Sequence, residues 1–300
     1  MKRRFPLVLG LVAIFFSLYS SSYAQTSHMV RPSQISIQVG NLDQSTSWYK
    51  EMLGFDVVDR YNFVKQKSKI AVMKLKDFYI ELIQDQNPPA SGQSLHKNDP
   101  GQCGFYKMGF LVTGFDEFYQ ALKQEHPDQV NSIINSEVSG YTYVELFDPD
   151  GTLIQIIASS KPQETRELRP YLIGVRVTDM ESEINWYEQN LDFTFTRKWE
   201  ITDKGIYVRQ LYAEGFIIEL QKQTSTRDLA SEAEHAGTMK EENRGISKIT
   251  FKTDNIQSLS ESLKTHHSQL LQEITPKSSS WYTSFLVTED AEKNMIQIIQ

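Results

Sequence analysis

The chain has 300 residues, with 31 Lys and Arg against 38 Asp and Glu and a formal net charge of -7 at pH 7. That balance, with no basic run beyond the first few positions, excludes a nucleic-acid partner, because phosphate recognition demands a basic footprint. The single cysteine, Cys103, excludes an intramolecular disulfide, so burial of apolar surface must supply the stability.

The chain opens on Met1-Lys2-Arg3-Arg4, continues with an apolar run from Phe5 to Leu18, and reaches Ser20-Ser21-Ser22-Tyr23-Ala24 before Gln25. This is the layout of a cleaved signal peptide over residues 1–24. The apolar run spans 14 residues, whereas a bilayer-spanning helix needs roughly 20, which favours cleavage over an anchor. The expected product is exported, periplasmic or secreted, with no membrane attachment once the signal is removed. About 275 residues then remain, enough for two domains that each bury a core.

The rest of the chain repeats itself at an offset of 138 residues. Ile35 to Asp43, followed by Trp48-Tyr49 and Leu53-Gly54-Phe55, is echoed by Ile173 to Glu181, Trp186-Tyr187 and Leu191-Asp192-Phe193; Phe78 to Leu82 is echoed by Phe216 to Leu220. Each copy reads as a strand with alternating apolar residues, an amphipathic helix carrying the Trp-Tyr pair, and three further strands, a β-α-β-β-β unit. The Trp-Tyr pairs read as core, packed between helix and sheet. A weaker copy of the unit follows each. The first has strands at Lys107 to Val112, Tyr141 to Leu146 and Thr152 to Ala158, with a helix over Phe115 to Gln124 and a turn at Asp148-Pro149-Asp150-Gly151. The second has strands at Lys248 to Thr253, Tyr282 to Thr288 and Met295 to Ile299, with a helix over Ile256 to Thr265. Four units therefore fall into a domain over 30–159, a polar linker over 160–169 and a domain over 170–300.

Val39-x-x-Leu42, Trp48-Tyr49, Leu53-Gly54-Phe55 and Phe147-Asp148-Pro149-Asp150-Gly151 together resemble the landmarks of the vicinal oxygen chelate family of glyoxalases, bleomycin-resistance proteins and extradiol dioxygenases, over about 270 residues. The resemblance implies an α+β fold of two tandem domains, each with two βαβββ units forming a cup-shaped mixed sheet and helices outside. It also implies a divalent-metal site in each cup, held by the first and last strands of each unit. Mapped by register, the four metal-binding places fall on Gln34, Glu81, Lys107 and Gln155 in the first domain, and on Leu172, Glu219, Lys248 and Gln297 in the second. An ammonium group has no lone pair to donate and amides are weak neutral donors, so no metal or other cofactor is expected. Instead Lys107 is expected to pair with Glu81, and Lys248 with Glu219, inside their cups, either as structural fillers or as ligand-recognition centres.

The histidines do not restore a metal site: His28 adjoins the signal junction, His126 precedes Pro127, and His266 and His267 close a helix. His96 and His235 lie in corresponding long connections, Asp85 to Gly104 and Gln221 to Gly245, which could fold over the cups and bring a ligand contact or a general acid–base group. Tyr143 and Tyr207 are candidate cup aromatics. The leading reading is an exported protein binding a small organic molecule in a Lys/Glu-lined cup without a metal, as a monomer or homodimer. Two alternatives stand beside it. One is a divalent-metal glyoxalase-like lyase or dioxygenase, the class an enzyme of this type would belong to. The other is a non-catalytic structural or interaction domain pair.

Overall fold

The computed structural model describes residues 29–65, 67–85, 104–160, 167–224, 244–276 and 282–300. The signal segment, Cys103, His96 and His235 lie outside the described residues, and no described helix is long and apolar enough to cross a membrane.

The four units are present in the expected order. The first comprises β1 (Val30–Gln38), α1 (Leu42–Leu53), β2 (Asp56–Phe63), β3 (Ser68–Leu75) and β4 (Phe78–Asp85). The second comprises β5 (Gly104–Val112), α2 (Phe115–Glu125), β6 (Ile134–Asn135), β7 (Thr142–Phe147) and β8 (Leu153–Ala158). The third comprises β9 (Leu168–Arg176), α3 (Met180–Leu191), β10 (Thr194–Ile201), β11 (Ile206–Ala213) and β12 (Phe216–Gln223). The fourth comprises β13 (Gly245–Thr253), α4 (Ile256–Thr265), β14 (Leu270–Pro276), β15 (Ser284–Glu289) and β16 (Met295–Ile299). Strand β9 thus starts at Leu168, inside the stretch read as linker.

Local chemistry sets the helix boundaries. Asn41 caps α1 by accepting from the amides of Asp43 and Gln44, and Asp179 caps α3 by accepting from the amide of Ser182. The Leu53-Gly54-Phe55 landmark is the other end of α1. Gly54 turns left-handed at φ 76°, its amide donates to Lys50 O, and the amide of the fully buried Phe55 donates to Tyr49 O.

The strands form two eight-stranded mixed sheets of two units each, in the orders β14-β15-β16-β13-β1-β4-β3-β2 and β10-β11-β12-β9-β5-β8-β7-β6. The units that share a sheet are not the sequence neighbours expected. The first sheet joins unit one to unit four through antiparallel β1 and β13, and the second joins unit two to unit three through antiparallel β5 and β9. Units one and two, and units three and four, instead meet through their cores: Phe55 packs edge-on to Phe110 at 6.0 Å, and Phe193 to Phe251 at 5.8 Å. Trp48, Tyr49, Trp186 and Tyr187 are all buried there, as their apolar spacing predicts. The Asp-Pro-Asp-Gly turn adds a polar latch, because the buried Tyr49 hydroxyl donates to Asp148 at 3.0 Å; Tyr187 donates to Asp290 at 3.1 Å in the second pair of units.

Candidate functional site

Each sheet carries the same transverse row of side chains at its centre. In the first, Lys248 of β13 stands opposite Ser36 of β1, which stands opposite Glu81 of β4. In the second, Lys107 of β5 stands opposite Gly174 of β9, which stands opposite Glu219 of β12. The lysines do point into the cups, but their partners are exchanged: Lys107 pairs with Glu219 at 2.5 Å and Lys248 with Glu81 at 3.7 Å. The expected Glu81–Lys107 and Glu219–Lys248 pairs are therefore corrected. The reason is the strand order, which places β5 beside β9 and β12, and β13 beside β1 and β4.

The middle residue of the row decides how tightly each pair closes. Gly174 leaves a gap that Lys107 fills: a Cβ there would sit 2.5 Å from Lys107 Cγ and 2.9 Å from its Cε. Lys107 crosses this gap to reach Glu219, and the side chains of the two are only 8% and 5% exposed. Lys107 also donates to Gln155 Oε1 at 3.0 Å, Gln155 Nε2 donates to Glu145 at 3.1 Å, and Gln210 Nε2 donates to Glu219 at 2.8 Å. Burial alone would pull the Lys107 ammonium down, but the Glu219 carboxylate, with Tyr106 and Glu145 beside it, more than offsets this and holds it well above the usual lysine range. Beside this network Leu172 lies over Gly109, where a Cβ would meet Leu172 Cγ at 2.5 Å, and it packs with Ile157 and Ile217. The centre of the second cup is filled.

In the first cup Ser36 stands where the second has Gly174. Its hydroxyl donates to Glu81 Oε2 at 2.7 Å, and Gln34 Nε2 donates to the same oxygen at 3.2 Å. Lys248 is left at 3.7 Å, beyond hydrogen-bond distance, and the pair is 20% and 21% exposed. Gln297 stands in the neighbouring row, opposite Thr250, from whose Oγ1 it accepts at 3.2 Å. On one side β2 brings Asp59, Tyr61 and Phe63 onto the Glu81 face, since Asp59 pairs with Val72 and Val72 with Glu81. The Tyr61 and Phe63 rings stack at 6.1 Å. The hydrogen bond from the Tyr61 hydroxyl to Asp59 raises the tyrosine above its ordinary range. On the other side Phe285 shares the Gln297 face and lies edge-on to Tyr282 at 6.1 Å.

The donor sets can be compared with what the family's divalent metal would need. At the four family positions the first cup offers one carboxylate, two amides and an ammonium, and the second one carboxylate, one amide, an ammonium and the hydrocarbon of Leu172; beside them, Glu145 and Gln210 are engaged with Gln155 and Glu219, and Asp59 with Tyr61. Neither set fits a resident divalent cation, which needs several oxygen or imidazole lone pairs. Among the described residues no three His, Cys, Asp or Glu side chains form a metal-holding group.

Gln34, Glu81, Lys248 and Gln297 thus come together in one cup, and Lys107, Gln155 and Glu219 in the other. Tyr143 joins the apolar cluster of the second cup, whereas Tyr207, three residues from Gln210 on the unbroken β11 ladder, faces away from it. His126 and His266 cap α2 and α4, and His267 follows at φ 57°. Sequence reasoning missed Ser36, Gly109, Gly174 and Gln210, as well as Tyr61 and Phe63 on the exposed strand β2.

A chain with two βαβββ pairs folded into curled mixed sheets belongs to the Glyoxalase/Bleomycin resistance protein/Dioxygenase superfamily, whose family model matches residues 31–156 and 171–298. Among solved structures the chain is similar to glyoxalase I from Zea mays, at 16% identity and a TM-score of 0.64, covering 90% of this chain and 92% of that one. A mutant of the same enzyme gives 17% and 0.65, again over 90% and 92% of the two chains. A protein provisionally assigned as a dioxygenase from Bacillus subtilis gives 13% and 0.64, over 91% and 86%. At these identities the likeness establishes the fold. No curated protein sequence matches the chain.

Proposed function

We propose that this protein binds a small organic molecule in its first cup and holds it with a fixed ammonium, Lys248, where relatives of this fold would use a metal ion. The reading rests on the contrast between two copies of one Glu-Lys-Gln set. Lys107 is spent on Glu219 and Gln155 in a filled, buried network, whereas Lys248 sits 3.7 Å from a carboxylate whose Oε2 already accepts two other hydrogen bonds. The Lys248 ammonium is therefore free to turn its N–H donors to a ligand oxygen, such as a carboxylate or a polarised carbonyl. Gln34 and Gln297 border it with neutral donors and acceptors, and Tyr61, Phe63, Tyr282 and Phe285 offer apolar walls. The second cup is then the structural partner of the first. The donor chemistry of both weighs against the metal-dependent lyase or dioxygenase reading. The basic, apolar and small-residue order of positions 1–24 supports export with cleavage before Gln25, which N-terminal sequencing of the mature protein would test.

A thermal-shift screen of small organic acids and carbonyl compounds, run in parallel on the wild type and on Lys248→Met, tests the ligand claim. Compounds that bind should raise the wild-type melting temperature by several degrees at saturation and leave Lys248→Met unmoved. Equal shifts in both proteins would contradict a Lys248-centred site.

A further inference from the structure

A cavity of about 520 Å³ lies beside the apolar cluster of the second cup, to which its lining residues Leu111, Tyr141 and Tyr171 belong; Thr113, Glu167 and Arg169 line it too. We infer that it is a separate binding site for a small anion with a planar, apolar body, such as an aromatic carboxylate.

The volume falls within the roughly 300–1,000 Å³ range of small-molecule pockets. Its aromatic walls are held in place before any ligand arrives. Tyr141 and Tyr171 lie edge-on at 6.4 Å, and the Tyr141 hydroxyl donates to Gln210 Oε1 at 3.2 Å. Each ring also carries a guanidinium on its face, Arg197 over Tyr141 at 5.5 Å and Arg169 over Tyr171 at 5.6 Å. Gln210 in turn donates to Glu219, so the wall is anchored to the buried Lys107 network.

The charge at the cavity selects the ligand's sign. Glu167 is paired with Lys76, which holds its carboxyl below the usual range, and the other charges on the walls among the described residues are Arg169 and Arg197. One guanidinium nitrogen of Arg169 donates to Gly215 O at 3.1 Å, which fixes the group with further N–H donors to offer. The excess among the described residues is positive, which fits an anion, and a guanidinium suits a carboxylate by its fork of parallel donors. Leu111 and Ala158 complete the apolar lining, and Thr142 and Ser160 add hydroxyls.

The test is isothermal titration of the full chain with 2-naphthoate, and with 2-naphthylmethanol as its neutral counterpart. Wild type, Arg169→Gln, Leu111→Trp and Lys248→Met are compared, each checked for its fold by circular dichroism. Saturable 2-naphthoate binding that persists in Lys248→Met, weakens about tenfold in Arg169→Gln and is blocked by the added bulk of Leu111→Trp is the expected result, with the alcohol about tenfold weaker than the acid. Leu111→Trp keeps the test decisive if Arg169→Gln fails to fold. Absence of saturable binding up to millimolar probe would overturn the inference. So would binding that Lys248→Met abolishes and the other two variants leave intact, which would assign the probe to the first cup.

Discussion

Lys107 and Lys248 occupy equivalent positions and differ in what surrounds them, so the same substitution should have very different costs. Lys107→Met leaves Glu219 as an unpaired carboxylate in a site 5% exposed, a situation that costs about 3–5 kcal/mol. Lys248→Met breaks a longer, partly solvated pair, which contributes about 1 kcal/mol or less. Urea denaturation of the two variants should separate them clearly, and Lys107→Met/Glu219→Gln should recover part of the Lys107→Met loss. Comparable losses from the two single variants would refute the assignment of one cup as closed and the other as open. A second residue-scale test concerns Glu183 and Asp290, both buried. Asp290 accepts from Tyr187 and from Asn294, while Glu183 accepts from the Glu292 amide at 3.1 Å. Burial first, then the charge of Asp290, pushes Glu183 well above its ordinary value, and burial raises Asp290 too. Two adjacent carboxyls in a dry site share a proton. Because the folded values lie above the unfolded ones, their contribution is fully present at low pH and is lost as pH rises through the folded values. The melting temperature should therefore fall as pH rises above the ordinary carboxylate range. Glu183→Gln, with no proton to lose, should flatten that fall and melt higher at its upper end, as calorimetry against pH would show.

At the scale of elements, the centre strands β1 and β9 set the character of the two cups. Gly174 on β9 lets the Lys107 chain lie flat across the sheet, and Ser36 on β1 blocks the same path while saturating Glu81 Oε2. Gly174→Ser would force the backbone or Lys107 to move, since its Cβ would come within 2.5 Å of Lys107 Cγ. Overpacking of this kind costs about 1–3 kcal/mol, whereas Ser36→Gly, at the more open row, should cost less. Chemical denaturation of the two variants checks this order, and a neutral Gly174→Ser would contradict it. The terminal turns act at the same scale. Asp150 Oδ1 accepts from the Gly40 amide at 3.0 Å and Glu292 accepts from the amides of Thr178 and Asp179. Each turn thereby fastens the start of the helix in the preceding unit, so units one and two, and units three and four, are latched together while their strands pair in different sheets.

Across the whole molecule, much of the architecture was legible in the chain. The 138-residue repeat, the Trp-Tyr helices and the final strands all stand where the spacing put them. The Glu-Lys-Gln set was legible too, because a lysine at a place that elsewhere in the family ligates a metal is conspicuous. The partner of each lysine was not legible. A first strand with Ile35 and Ile37 inward pairs equally well with either later unit, and the choice is made by long-range packing such as Phe55 on Phe110. Nor could Gly174 and Gly109 be recognised, since a glycine gains meaning only from the side chain that crosses it. In the division of labour proposed above, one cup is locked by its own salt bridge and the other keeps its ammonium within a ligand's reach, so that a fixed cation would replace a bound one. The most direct measurement is the metal content of the mature protein after incubation with Mg, Mn, Fe, Ni and Zn and desalting. The account predicts retention far below one ion per chain, with no rise in melting temperature for any ion; stoichiometric retention with a raised melting temperature would contradict it.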